Sequence, residues 1–517
     1  MNTKASGAAA DGGTAPQLEV AVIGSGFSGL CMGIKLQEAG IGNFAILEKD
    51  AVFGGTWRVN HYPGAACDVP SHLYSFSFAQ NADWSRKFPL QAELLRYTED
   101  IARRYGLLER IRLDTALLAA DYDAARGWWT LRTSRGELTA RNLVIATGAL
   151  SRPAAPPVPG LDTFRGKLFH SAHWDHGYDL RGKRVAVIGT GASAIQFVPA
   201  IAAQVAQLDL YQRTAPWVLP RPDRAITAVE RWLLRRVRPL QALYRGLTYV
   251  RYESRFLAFA KWPLLMRAVE WQARRHIRRQ IPHDAALRAK VTPSYRAGCK
   301  RLLLSSNYYP ALARANVAVI ADGIAEVRAG SVVGRDGRER PVDAIIFGTG
   351  FDVEHALGTV AVRGRDGLLL SEAARDGLEA YKGAAIPGFP NLYMIIGPNT
   401  GLGHNSMIYM IEANVRYVVQ ALALRQARGL QAVEVRADVS RRYNDMLQQR
   451  LRGTVWSSGC KSWYLTSGGR NSTLWPGFTF EYGRMTRRFD SAAYRLDGPG
   501  PAQAAARAAA AGAEAAG

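Results

Sequence analysis

The sequence predicts an α/β protein built from two dinucleotide-binding, Rossmann-like units, with a helical insert in the second. Three observations carry that expectation. An apolar run, Leu18-Glu-Val-Ala-Val-Ile23, leads into Gly24-x-Gly26-x-x-Gly29 and a helix reaching Leu36. A second run, Val185-Ala-Val-Ile188, leads into Gly189-Thr-Gly191-Ala-Ser-Ala194. Matching segments then close the two units: Asn142-Leu-Val-Ile-Ala-Thr-Gly148 and Pro341-Val-Asp-Ala-Ile-Ile-Phe-Gly-Thr-Gly350.

Composition sets the outer bounds. A chain of 517 residues, 48% apolar and 21% charged with 50 glycines, suits a globular α/β protein of two or three domains. Residues 1–16 and 497–517 are rich in alanine and glycine and are expected to be disordered tails. The first residues lack a basic-then-apolar signal pattern. The run Val20–Leu36 is interrupted by four glycines and reads as strand, turn and helix rather than a membrane span. The four cysteines (Cys31, Cys67, Cys299, Cys460) are scattered with no Cys-x-x-Cys pair. That spacing argues for a reducing cytoplasm and against both a disulfide framework and a dithiol reductase.

Net charge is +23, and +15 of it lies in residues 221–301, which hold 20 Lys/Arg against 5 Asp/Glu. Ala225–Lys290 reads as helices with Trp232, Leu233, Leu240, Phe256, Leu257, Phe259, Leu264 and Leu265 on their apolar faces. An arginine-rich solvated face is the commoner meaning of such a segment, ahead of contact with a membrane surface. No nucleic-acid-binding motif accompanies the charge, so nucleic acid is excluded as a partner.

The first unit spans 17–150. Its glycines let the backbone approach a pyrophosphate, the helix N-terminus neutralises that phosphate, and Glu48, at the end of Phe44-Ala-Ile-Leu47, can bind ribose hydroxyls. Gly54-Gly-Thr-Trp57 follows, a loop suited to pass close over an isoalloxazine ring. Residues 87–140 alternate helix-like and strand-like stretches. The second unit begins at 151–220 with the proline-rich loop Arg152–Gly160 and a hinge, Leu161–Asp175. Its second strand, Leu208-Asp-Leu-Tyr211, ends at Gln212-Arg213-Thr214, where the first unit has Glu48. An arginine there pairs with a 2′-phosphate and points to NADPH. The basic insert occupies 221–300, the second unit resumes at 301–387, and the first at 388–496.

Two long motifs carry a family resemblance. Phe164-x-Gly166-x-x-x-His170-x-x-x-Trp174-Asp175 in the hinge resembles the fingerprint of type I Baeyer–Villiger monooxygenases. Gly55-Thr56-Trp57, Tyr62-Pro63-Gly64 and Asp68 resemble that family's second long motif, with its spacing. The resemblance covers roughly residues 17–495. Flavin-containing monooxygenases share the dinucleotide units and a similar hinge but usually lack both the Trp-Asp ending and this loop.

The resemblance implies FAD and NADPH as cofactors and no metal. FAD is expected at Gly24, Gly26, Ser28, Gly29 and Glu48, with Gly55, Thr56, Trp57, Asp68, Tyr74 and Met407 around it. NADP is expected at Gly189, Thr190, Gly191, Ala192, Ser193, Ala194 and Gln196. Arg213, Thr214 and Lys300 are expected at its 2′-phosphate end, Arg301 over the flavin, and Trp463 in a segment that folds over the nicotinamide. The implied chemistry is reduction of FAD by NADPH, addition of O2 to give a C4a-peroxyflavin with NADP+ retained, attack on a ketone, and rearrangement to an ester or lactone. Arg301 and Asp68 are the implied catalytic pair. His170 is expected to couple domain movement rather than touch substrate. Two alternatives stay open: a monooxygenase acting on thioethers or amines, and a membrane- or partner-docked flavoprotein with little turnover. The Gly-Cys-Lys-Arg setting of the pair and the basic insert before it depart from well-studied members, which leaves the substrate open.

Overall fold

The computed structural model describes residues 15–353, 360–460 and 462–498. The expected tails lie outside this range except at their inner ends, where Asp497 closes a strand instead of beginning a tail.

In the first unit, β1 (Leu18–Ile23) runs parallel between β2 (Phe44–Leu47) and the C-terminal half of β6 (Gly136–Ile145), with β3 (Ile111–Arg112) beyond β2. Strands alternate their side chains between two faces, and here both faces are covered. Val20 and Val22 enter a core shared with the helices Phe27–Glu38 and Met407–Arg428. Ala21 and Ile23 enter another core beside Trp129 and Leu131. An apolar run is the pattern such a doubly covered strand demands. β4 (Leu117–Asp123) and β5 (Trp128–Thr133) lead antiparallel into β6, turning the open sheet into an eight-stranded mixed one.

The second unit is a parallel five-stranded sheet. It comprises β7 (Lys167–His170), β8 (Arg184–Ile188), β9 (Gln207–Tyr211), β12 (Val317–Ile320) and β16 (Ala344–Phe347), in the order β12-β9-β8-β16-β7. Part of the expected hinge is thus an edge strand: β7 pairs with β16, His170 opposite Phe347. The insert leaves and re-enters through a narrow neck, where β10 (Val218–Leu219) pairs with β11 (Leu303–Leu304). Its helices are Ala228–Arg236, Arg238–Glu253, Met266–Gln280 and Ala285–Val291. Local chemistry starts them: Thr227 and Glu230 form a capping box, Pro239 sits in the first turn of the second helix, and Asp284 caps the last.

A small antiparallel sheet of β13 (Ile324–Arg328), β14 (Ser331–Gly334) and β15 (Glu339–Pro341) precedes β16. The chain then returns to the first sheet earlier than expected. β17 (Ala361–Arg363) pairs with β4, so residues 361–363, assigned from sequence to the second unit, belong to the first sheet. β18 (Leu392–Met394) adds to β6, and β19 (Ala432–Val435) pairs with β20 (Tyr494–Asp497). Among the described residues, no helix is long and apolar enough to cross a membrane.

Candidate active site

Both glycine turns are built alike. Gly24 has φ +103° and Gly189 φ +107°, conformations L-residues with side chains rarely adopt. A Cβ at Gly24 would lie 2.9 Å from the Ala146 carbonyl oxygen, and one at Gly189 only 2.4 Å from that of Gly348. Each turn therefore packs directly on the closing segment of its own unit, the Ala-Thr-Gly and Gly-Thr-Gly echoes.

The first turn has the shape an adenine dinucleotide needs. Gly26 and Gly55 face each other so closely that a Cβ on Gly55 would meet the Gly26 Cα at 2.8 Å. Gly29 and the buried Ser28 open the helix. Glu48 is buried at the end of β2, where one carboxylate oxygen accepts from Ser25 N at 3.0 Å and from the Ser25 hydroxyl, and the other accepts from Asp50 N at 3.1 Å. Thr56 and Trp57 start a short helix, and Trp57 Nε1 donates to Tyr74 Oη at 3.3 Å. Met407, first residue of its helix, packs against the same core as Tyr74.

In the second turn Gly191 and Ala192 are exposed, Ser193 and Ala194 lead into the helix Ala194–Ile201, and Thr190 Oγ1 donates to the Thr214 carbonyl at 3.1 Å. Arg213 and Lys300, 87 positions apart, come close enough to feel each other's charge: burial first, and Arg213 second, depress the Lys300 ammonium below the ordinary lysine range. The Gln196 amide is engaged across the units. Its Oε1 accepts from Tyr62 Oη at 3.0 Å and from Ala66 N at 3.2 Å, and its Nε2 donates to the Ala66 carbonyl at 2.9 Å. Tyr62, quoted in a motif but given no role from sequence, is pushed up to about 12 by burial.

Arg301 and Asp68 meet. Arg301 Nε and Nη2 both donate to Asp68 Oδ2, at 3.0 and 2.6 Å. The Asp68 charge holds the guanidinium even more firmly protonated than usual. The Arg301 side chain remains 35% exposed, and its Nη1 has no partner among the described residues. The Tyr464 phenol, fully buried, feels both charges, but burial dominates and raises it to about 12. Trp463 stands beside Tyr464 with its ring largely exposed.

Two features had no readable signal. Cys299 and Cys460 form a disulfide, which corrects the expectation of unpaired cysteines and removes the ground on which a reducing compartment was inferred. The bond ties the Lys300–Arg301 segment to the loop carrying Trp463 and Tyr464. The insert also reaches inward. Buried Glu253 accepts from Thr479 Oγ1 at 2.8 Å and from Asn405 and the Thr479 amide, while His404 Nε2 stands 3.7 Å away. Burial pushes His404 down to about 3, so it is neutral. Insert and the loop before Met407 are therefore locked together.

The hinge fingerprint makes no contact with Arg301 or Asp68 among the described residues, though its Trp174 shares a core with Tyr62 and Ala65. His170 Nδ1 accepts from Ala172 N at 3.0 Å, and burial pushes the ring down to about 4 against the opposing effect of the Gly350 backbone. Trp174 packs between Phe169 and Phe197, both at 5.2 Å. A Cβ on Gly166 would strike the Asp343 carbonyl at 2.5 Å and the Phe164 ring, and Asp175 pairs with Lys167 at 2.5 Å. These residues shape the edge of the second sheet. Among the described residues, no cluster of three His, Cys, Asp or Glu is arranged to hold a metal.

The family profile described as pyridine nucleotide-disulphide oxidoreductase matches residues 21–248. Over 481 residues the chain is 54% identical to a Baeyer–Villiger monooxygenase of Pseudomonas aeruginosa, covering 92% of this chain and 91% of that protein. It is 50% identical to a Baeyer–Villiger monooxygenase of Streptomyces coelicolor over 494 residues, 95% of each. Among solved structures, cyclohexanone monooxygenase from Rhodococcus sp. Phi1, bound to NADP+, is similar with a TM-score of 0.83 and 27% identity, over 94% of this chain and 100% of that one. Identity of this degree over nearly the whole length leaves one assignment: the chain belongs to the Baeyer–Villiger monooxygenase family.

Proposed function

We propose that this enzyme uses FAD, NADPH and O2 to insert one oxygen atom beside a ketone carbonyl, giving an ester or lactone, and that Arg301 and Asp68 are its catalytic pair. The observation that carries the reading is the Asp68–Arg301 ion pair, made by residues 233 positions apart that join one nucleotide-binding unit to the strand entering the other. The glycine contacts around Gly24, Gly26 and Gly55 and the buried Glu48 fit an adenine dinucleotide, and the Arg213–Lys300 pair fits a 2′-phosphate. When bound, FAD reduced by NADPH supplies the activation of O2.

The residues contribute placement and charge. Asp68 fixes the guanidinium through two bonds to one oxygen and leaves Nη1 free to donate. A fixed cation at that point stabilises negative charge developing on the carbonyl oxygen of an attacked ketone. It favours anionic over neutral species, which supports ketone oxidation over transfer to sulfur or nitrogen, where a protonated oxidant is needed. A cytoplasmic setting, where NADPH is made, fits this reading, and there the Cys299–Cys460 bond meets thiol reductants.

Arg301→Ala tests the assignment. FAD content is expected to stay at wild-type level, because no FAD-turn contact involves Arg301. Ester formation is expected to fall by about 10²–10³, the usual loss for one preorganised electrostatic partner, with residual NADPH oxidation released as hydrogen peroxide. Ester production near the wild-type rate, measured by product mass spectrometry, would remove Arg301 from the chemistry.

A further inference from the structure

The insert helix Arg238–Glu253 is inside out. Its inner face mixes polar and aromatic groups: Arg245 Nη1 donates to the His72 carbonyl at 2.5 Å, Tyr249 Oη bonds Thr479 Oγ1 at 2.9 Å, Tyr252 enters the first unit's core and Glu253 is buried. Its outer face is apolar. Leu240, Leu243, Leu247 and Val250 recur at helical spacing on one stripe, and the last three are 57%, 63% and 62% exposed. Val229 and Trp232 on the preceding helix are exposed as well, as are Trp262, Leu264 and Leu265 beyond it. Eleven of the twenty-one large apolar side chains exposed among the described residues fall within positions 229–271. Scattered exposed leucines need no explanation, but a concentration of this kind does.

The charges on the same elements identify what covers it. Arg236, Arg238, Arg251, Arg255 and Lys261 are exposed and have no acidic partner among the described residues. We propose that the stripe Leu240–Leu243–Leu247–Val250, carried on a segment that also exposes these cations, is a peripheral docking face for an anionic lipid surface. Apolar side chains enter the acyl boundary, and arginines meet lipid phosphates. A second copy of the chain is the poorer occupant. It would set one strongly basic segment against another, each holding 20 basic and 5 acidic residues. Docking would hold the inner end of the same helix, where Glu253 grips the loop before Met407, about one helix diameter (~10 Å) from the lipid.

The test uses the full-length, FAD-loaded enzyme sedimented with phosphatidylcholine vesicles, with and without phosphatidylglycerol. Wild-type protein is expected to partition onto the anionic vesicles at least about tenfold better than onto neutral ones. A triple variant, Leu243→Ser, Leu247→Ser and Val250→Ser, keeps the charge and should lose about tenfold or more of that binding, with FAD content and NADPH oxidation unchanged. As a second readout, a Leu247→Cys variant carrying an environment-sensitive dye should blue-shift on anionic vesicles. Binding by the triple variant equal to wild type, with an unshifted dye, would mean adsorption by charge alone and overturn the proposal. So would failure of the wild type to bind, or a wild-type dimer that the triple variant converts to monomer.

Discussion

Lys300 and Arg301 are neighbours in opposite electrostatic settings. The Arg301 guanidinium is a cation at any working pH and Asp68 holds its proton more firmly still, whereas burial and Arg213 weaken the hold of Lys300 on its proton. The lysine is charged below its depressed pKa and neutral above it. Preference for NADPH over NADH is therefore expected to decline as pH rises through that value, earlier than an ordinary lysine would allow. Lys300→Arg should flatten the profile, and Lys300→Ala should lose about one to two decades in kcat/KM for NADPH at neutral pH, the worth of one charge-assisted contact. Steady-state kinetics with both cofactors from pH 7 through the ordinary lysine range, about 10.4, checks this. A wild-type preference that does not change with pH would detach Lys300 from the 2′-phosphate.

At the scale of elements, the disulfide matters most. Cys299 and Cys460 stand 161 residues apart and clip the Trp463–Tyr464 loop to the segment carrying Arg301. Closing so long a loop stabilises the fold by on the order of 5 kcal/mol in the chain-entropy account. Cys460→Ser, or reduction with phosphine, is expected to lower Tm and to speed proteolytic cleavage near 455–465. Hydrogen peroxide should rise at the expense of ester, because Tyr464 loses its tether beside Arg301. Identical proteolysis and product yield in oxidised and reduced enzyme would show that the clip is idle. The disulfide was illegible in the sequence because spacing alone carries no pairing information. The glycine turns were legible because strand, turn and helix lie within about a dozen residues of one another.

Across the whole molecule, the Tyr62–Ala66 loop of the first unit packs into the second: Tyr62 and Ala65 share a core with Trp174 and Phe197, and His61 stacks on His176. Gln196 makes three hydrogen bonds to the Tyr62–Ala66 loop, and Arg301 makes two to Asp68. Gln196→Ala leaves the buried Tyr62 hydroxyl and the Ala66 backbone short of partners, at about 1 kcal/mol for each lost bond and more for a buried orphan. The variant should bind FAD normally yet release more peroxide per NADPH, with faster hydrogen exchange over 62–66. Unchanged exchange there would mean that the units are held together by other contacts.

The sequence by itself determined what local chemistry controls. Two glycine turns follow apolar strands that sit buried on both faces, Glu48 and Arg213 end corresponding strands, and Asp68 lies in a recognisable motif, whereas Arg301 was placed only by the family resemblance. Tertiary structure decided what depends on distant partners. It joined Asp68 to Arg301 and Cys299 to Cys460, made the hinge segment Lys167–His170 an edge strand, and returned the chain to the first sheet at β17. It also settled the insert. Of the side chains expected on apolar faces, Phe256 and Phe259 are buried while Trp232, Leu240, Leu264 and Leu265 are exposed. Helical periodicity marks which residues share a face, and the pattern is the same whether that face meets a core or the outside. The packing of Arg245, Tyr249, Tyr252 and Glu253 against the first unit turned the leucine stripe outward.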